Sequence, residues 1–215
     1  MAVWAVATTH RYVFVPYDAT QRPPAPVTTV RCATEFPRLF RYLQPWTDRF
    51  LNRSMYQRQL SADFPWELSG PIEHLRTSGA LVFIRYLATD GQPAAAVRVP
   101  TYDARLNRVS LPYPNNKSNI YYASSEDQAY FLAAFINSSP AQEALSRFAV
   151  STGVTPAALA RLPIPPFEQE NVNHGRLAAL GRLATDITAD PAADPLAITQ
   201  CEADIDDLVW AMAGG

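Results

Sequence analysis

The chain is poor in the residues that most chemistry needs. Only eight of its 215 residues are glycine, and no pair of them follows a candidate strand at the spacing of a phosphate-cradling loop. That excludes the usual Gly-rich loop for S-adenosylmethionine. Cys32 and Cys201 stand far apart, and His10, His74 and His174 are scattered, so no zinc-ligand spacing exists. Lys117 is the single lysine and has no acidic cluster beside it, which removes a metal-dependent nuclease site. No Gly-x-Ser-x-Gly elbow is present. No run approaches 18 apolar residues, so no transmembrane helix is expected. The apolar start, Met1 to Ala7, lacks a basic leader and soon meets His10 and Arg11. It reads as a strand, not a signal peptide. Two reduced thiols then fit a cytoplasmic protein without a membrane partner.

What is present is a globular composition with an uneven charge. Hydrophobic residues make up 48 %, enough for a packed core. The net charge of −2 hides a split: residues 1–120 carry thirteen arginines and Lys117 against eight acids, and residues 121–215 four arginines against twelve acids. A basic front suits phosphate, and an acidic back suits something else. Arginine supplies nearly all the positive charge, and its planar fork matches phosphate and guanine better than an ammonium does.

Residues 2–7 and 11–16 read as short strands, and Arg22 to Pro26 as a stiff loop with few backbone donors. Phe36, Leu39, Phe40, Leu43, Phe50 and Leu51 lie near helical spacing, which predicts a helix to about Gln44 and another from Trp46, broken at Pro45. Residues 60–123 are strand-like, with Ala80–Ile84, Ala94–Val99, Val109–Leu111 and Ile120–Tyr122 as strands. Asp90-Gly91 is a turn, and the segment from Pro112 to Asn119 is a polar loop. From Ser125 the pattern becomes helical. Helices are expected from Ser125 to about Asn137, over Pro140–Phe148, briefly after Thr155-Pro156, and over about 168–188 and 195–213. Leu177, Leu180, Leu183 and Ile187 make a stripe on one of the last two. Ile198, Ile205, Leu208 and Val209 make a stripe on the other. Together they predict an antiparallel hairpin able to dock a partner. The fold class is therefore α/β (α+β): a twisted mixed sheet over residues 1–124, followed by helical support and a helical hairpin over 125–215.

The segment 130–165 is the most distinctive. An apolar helix ends in Asn137-Ser138-Ser139, a second helix reaches Phe148, and Arg161-Leu162-Pro163-Ile164-Pro165 follows a Gly153 turn. This layout resembles the TaqI-like C-terminal specificity domain, or target recognition domain, of N6-adenine DNA methyltransferases. Weaker pieces extend the resemblance in order along the chain. They are Val15-Pro16-Tyr17-Asp18; Phe36-Pro37 with Leu39 and Leu43; Leu51-Asn52-Arg53; Pro65-Trp66-Glu67-Leu68 with Gly70-Pro71; Leu81 to Arg85; Ile120-Tyr121-Tyr122; and Ile205-Asp206-Asp207-Leu208-Val209. Two departures stand out. Ala80 occupies a position usually held by Lys, and the loop 112–119 has its own composition.

The resemblance implies a module that recognises double-stranded DNA and positions a target adenine, in a restriction–modification or phage-defence setting. The N6-adenine methyltransferase domain or subunit, with its S-adenosylmethionine, would lie outside these residues. The catalytic tetrapeptide of such enzymes is (Asn/Asp)-Pro-Pro-(Tyr/Phe). The nearest match here is Ile164-Pro165-Pro166-Phe167, and isoleucine cannot accept a hydrogen bond from adenine's amino group. No catalytic residue and no cofactor is therefore assigned to the chain. The implied DNA contacts are Arg53 and Arg58 to phosphate; Arg85, Arg105 and Arg108 to phosphate or guanine; and Asn115, Asn116, Lys117 and Asn119 as a base-reading loop. Trp66 is expected in the core. The alternative is a protein-interaction module that docks a methyltransferase or helicase subunit through the acidic hairpin without touching DNA.

Overall fold

Proline and capping residues set most element ends. The structure, a computed structural model, describes residues 4, 17–18, 25–52, 80–85, 95–104, 107–110, 118–148 and 154–214. Two compact units are present: His10–Arg76, and Met1–Thr9 together with Thr77–Gly215. Compaction thus groups the sheet with the C-terminal helices, although the residue pattern changes near Ser124.

In the larger unit, β3 (Ala80–Arg85), β4 (Ala95–Arg98) and β7 (Ser118–Ala123) form a sheet in the order β4-β3-β7. Every strand pairing among the described residues is antiparallel. Val82 sits opposite Val97 and Tyr121, and Ile84 opposite Ala95 and Asn119. Ala80, Val82, Ile84, Ala95, Val97 and Ala123 form one buried face, as period-2 alternation requires.

That face packs on α4 (Glu126–Asn137). Ser125 starts α4 by accepting the Gln128 N–H at 3.1 Å, with Glu126 and Asp127 in the first turn, where the helix dipole favours acids. Every residue from Ala129 to Asn137 is buried. A helix apolar on all sides must be covered on all sides. The second cover is α7 (Val172–Ala189), which pairs with α8 (Pro195–Ala213) as the expected hairpin. Gly181 allows the close approach of α7: an added Cβ would meet the Tyr130 carbonyl oxygen at 2.5 Å.

Polar side chains pin these layers. The Asn137 amide accepts from the Ala95 N–H and donates to the Ala95 carbonyl, both at 2.8 Å, so it pairs with β4 as a further strand would. Ser138 Oγ donates to the Phe135 carbonyl at 2.7 Å and begins α5 (Ser139–Phe148). The Ser139 N–H donates to Asp206 of α8 at 2.7 Å, which puts a carboxylate at the positive end of α5. The Trp4 indole N–H donates to Glu202 at 3.1 Å. Arg182 reaches Glu126 at 3.0 Å and Asp127 at 3.1 Å, with its guanidinium 4.3 Å from the Tyr130 ring centre. Thr155 caps α6 (Pro156–Leu159).

The Leu162 to Phe167 stretch folds onto this core. Leu162 is buried, and Ile164 and Phe167 pack against the core. The Phe167 ring lies 5.4 Å from the Phe131 ring, and buried His174 lies 4.8 Å from the Phe131 ring. His174 Nδ1 accepts the Glu168 N–H at 3.0 Å.

Three features depart from the reading of the sequence. Helix α1 (Thr29–Glu35) was not anticipated; Thr28 caps it by accepting the Arg31 N–H. Strand β5 (Thr101–Asp103) pairs with β6 (Arg108–Ser110) in a ribbon, with Asn107 at φ 49°, a backbone region asparagine tolerates. Ser118 and Asn119 belong to β7 and not to the polar loop. The strands proposed at 2–7 (apart from Trp4) and 11–16, the Asp90-Gly91 turn and Trp66 lie outside the described residues. Among the described residues no helix is long and apolar enough to cross a membrane.

Both cysteines are free and buried. Burial pushes both thiols above their ordinary value, and for Cys201 the nearby Asp204 and Glu202 carboxylates add to the effect. A raised folded-state value means that stability is intact below the unfolded thiol's value and falls as pH rises past it. Stability should therefore decline above about pH 8.5. Cys201→Ala should flatten that decline in urea titrations at several pH values.

Two glycines offer a matched test. Gly181→Ala should cost about 1–3 kcal/mol through overpacking. Gly175→Ala, with nothing within 4 Å of the added carbon, should be neutral or stabilise by up to about 1 kcal/mol. Denaturant midpoints of the two variants check both signs.

Candidate nucleic-acid interface

The smaller unit holds three exposed arginines, Arg38, Arg41 and Arg49, on neighbouring helical turns. After β1 (Tyr17–Asp18), β2 (Ala25–Pro26) and α1, the chain enters α2 (Pro37–Leu43), a 3-10 turn (Gln44–Trp46) and α3 (Thr47–Leu51). Pro37 opens α2 where its missing N–H costs nothing. Pro45 removes a mid-helix donor, and the chain answers by tightening into the 3-10 turn. Gln44 and Thr47 keep helical dihedral angles, so α2, the 3-10 turn and α3 follow one another without an intervening loop.

The two faces of this segment differ sharply. Leu43 and Cys32 are buried, with Leu39, Phe40, Phe50 and Val27 packed against them. On the opposite side Arg38, Arg41, Tyr42, Trp46 and Arg49 are all exposed. Tyr42 is 70 % exposed and Trp46 43 %, unusual values for such large aromatic groups in a folded unit. The Arg49 guanidinium lies 5.4 Å from the Trp46 ring centre, within cation–π range.

Among the described residues, the charges on this face have no ion-pair partner. Arg31, on α1, is bound to Glu35 and Asp18, both at 2.9 Å, and these carboxylates hold it in its charged form. In the larger unit Arg147 pairs with Glu143, and Arg182 pairs with Glu126 and Asp127. Arg38, Arg41 and Arg49 form no ion pair among the described residues. Three arginines on one helix face with two exposed rings can neutralise backbone phosphates, and the rings offer flat surfaces for bases or sugars. The pattern was legible as Arg38, Arg41 and Arg49 recurring opposite Leu39, Leu43 and Phe50.

The residues expected to contact DNA fall into three groups. Arg53, Arg58, Arg105, Asn115, Asn116 and Lys117 lie outside the described residues. Arg85 and Arg108 are placed by backbone: Arg85 ends β3 opposite Ser118, and Arg108 opens β6 opposite Asp103. Asn119 is placed fully. It lies in β7 opposite Ile84, and its Nδ2 donates to the Val154 carbonyl at 2.8 Å. Asn119 shares a sheet face with Ile84, its register partner, and Arg85 is paired one position on, with Ser118. The β5–β6 ribbon leaves Tyr102 and Val109 exposed as a cross-strand pair, and a two-stranded ribbon is one of the elements a major groove admits.

Among the described residues no group of three or more His, Cys, Asp or Glu side chains could hold a metal ion. No protein-family model matches the chain, and no curated protein is detectably similar to it.

The Asn119 contact has a direct consequence. Asn119→Ala leaves the Val154 carbonyl without this donor and should lower stability by about 1–2 kcal/mol, read by urea denaturation.

Proposed function

We propose that this chain recognises duplex DNA and positions a target adenine for an N6-adenine methyltransferase module carried elsewhere. One observation carries the DNA reading: Arg38, Arg41 and Arg49 stand exposed on one helical face around Tyr42 and Trp46, with no ion-pair partner among the described residues. Each arginine is positioned to displace counterions from a phosphate, a contribution that is independent of sequence and sensitive to salt. Such contacts set register and orientation.

Base choice rests on the residues that the resemblance singles out: the Asn115-Asn116-Lys117 loop, Arg105 and Arg108. Asparagine pairs two-fold with adenine, and arginine or lysine with guanine. Methyl transfer needs S-adenosylmethionine and a flipped adenine, and both belong to the partner module in this reading. The role left to this chain is to hold duplex and partner in register, in a restriction–modification or phage-defence setting.

The test is a salt titration on one duplex with the full chain and the triple variant R38A/R41A/R49A. All three positions are exposed, so the variant should keep its melting temperature. Its affinity should fall similarly on every sequence, and the slope of log K against log salt should lessen by about 2–3. Unchanged slope and affinity would remove this face from the interface.

A further inference from the structure

The outer side of the helical hairpin holds a second surface, opposite in character. A groove of about 630 Å³ runs between α7 and α8, with Leu180, Leu183 and Leu208 as its apolar floor. Asp204 and Asp207 line it from α8 and Arg176 from α7, and the small Ala179 and Ala211 leave room for a backbone to come close. Leu183 is 48 % exposed, although its spacing places it in the stripe with buried Leu177. Such a residue is satisfied by a partner that covers it.

Charge selects the partner. Residues 168–215 hold nine acids against two arginines, and Arg182 is already bound to Glu126 and Asp127. A second copy would bring the same acidic surface against this one, and a nucleic acid would meet carboxylates. The groove wall spans residues 176–183 and 204–211, about two helical turns on each side at 1.5 Å per residue. We infer that the α7–α8 groove docks a basic amphipathic helix of a partner protein. Apolar side chains at i, i+3/i+4 and i+7 would seat on Leu180, Leu183 and Leu208, flanked by Lys or Arg facing Asp204 and Asp207. This surface is independent of the basic face on the smaller unit.

The probe is a labelled synthetic 14-residue helical peptide (about four turns) with leucines at that spacing and lysine flanks, titrated into the full chain by fluorescence anisotropy. Saturable binding is expected. Leu183→Glu should weaken it about tenfold or more, and D204K/D207K to a similar degree, in the range of interface anchors. Exchanging the peptide's lysines for glutamates should restore affinity for D204K/D207K. All three substituted positions are exposed, and a melting curve confirms folding; if Leu183→Glu unfolds the chain, the charge-reversal pair carries the test. Lack of binding, equal binding by a scrambled basic peptide, or binding that neither variant weakens would overturn the inference. Self-association abolished by Leu183→Glu would also overturn it, in favour of a second copy. DNA affinity of the same variants should stay unchanged, so failure here and failure of the DNA reading are separable.

Discussion

The larger unit depends on burying α4. Its residues from Ala129 to Asn137 face no solvent on any side, so this helix has no independent existence in water. It must have the sheet on one flank and α7 on the other before its apolar surface stabilises anything. The small residues of the contact follow from that demand. Gly181 on α7 leaves just enough space for the Tyr130 carbonyl of α4. Asn137, at the last turn, offers its amide to both backbone groups of Ala95 and holds helix and strand together. A buried amide is tolerable there because it is satisfied.

The same arrangement gives structural work to the segments that carry the family resemblance. Asn137 and Ser138 join helix to strand and helix to helix. Asp206, in the Ile205 to Val209 run, caps α5 from α8. The Leu162 to Phe167 stretch turns back onto Phe131. Two exposed surfaces stand out among the described residues: the outside of the hairpin, with Asp204 and Asp207 beside an apolar floor, and the helix face of the smaller unit, with three arginines and two aromatic rings.

Legibility in the sequence followed the strength of local signals. The helices from Ser125 onward were readable because local start signals agree with apolar periodicity: Ser125 is followed by two acids in the first turn, and Thr155 and Asp194 are each followed by a proline. Strand β3 was readable as a short apolar run. Helix α1 escaped because Val30, one of its few large apolar residues, points to solvent at 77 % exposure. It is held by a Thr28 cap and the Arg31–Glu35 pair instead. Asn119 looked like loop because asparagine is rare in strands, yet its amide is used across the chain at Val154. The basic face was visible only as a spacing of arginines opposite leucines, and a three-residue signal of that kind emerges once burial shows which side is free. The exposure of Leu183 was hidden for the converse reason: periodicity assigns a residue to a stripe without saying whether anything covers it.

The central claim is that this chain reads DNA. The most direct test is to pass a pool of random duplexes over the purified chain at about 50 and 200 mM salt, where phosphate contacts differ most in strength, and to sequence what is retained. The account predicts retained duplexes that share a short motif containing adenine, with retention falling as salt rises. Absence of retention at both salts would contradict it.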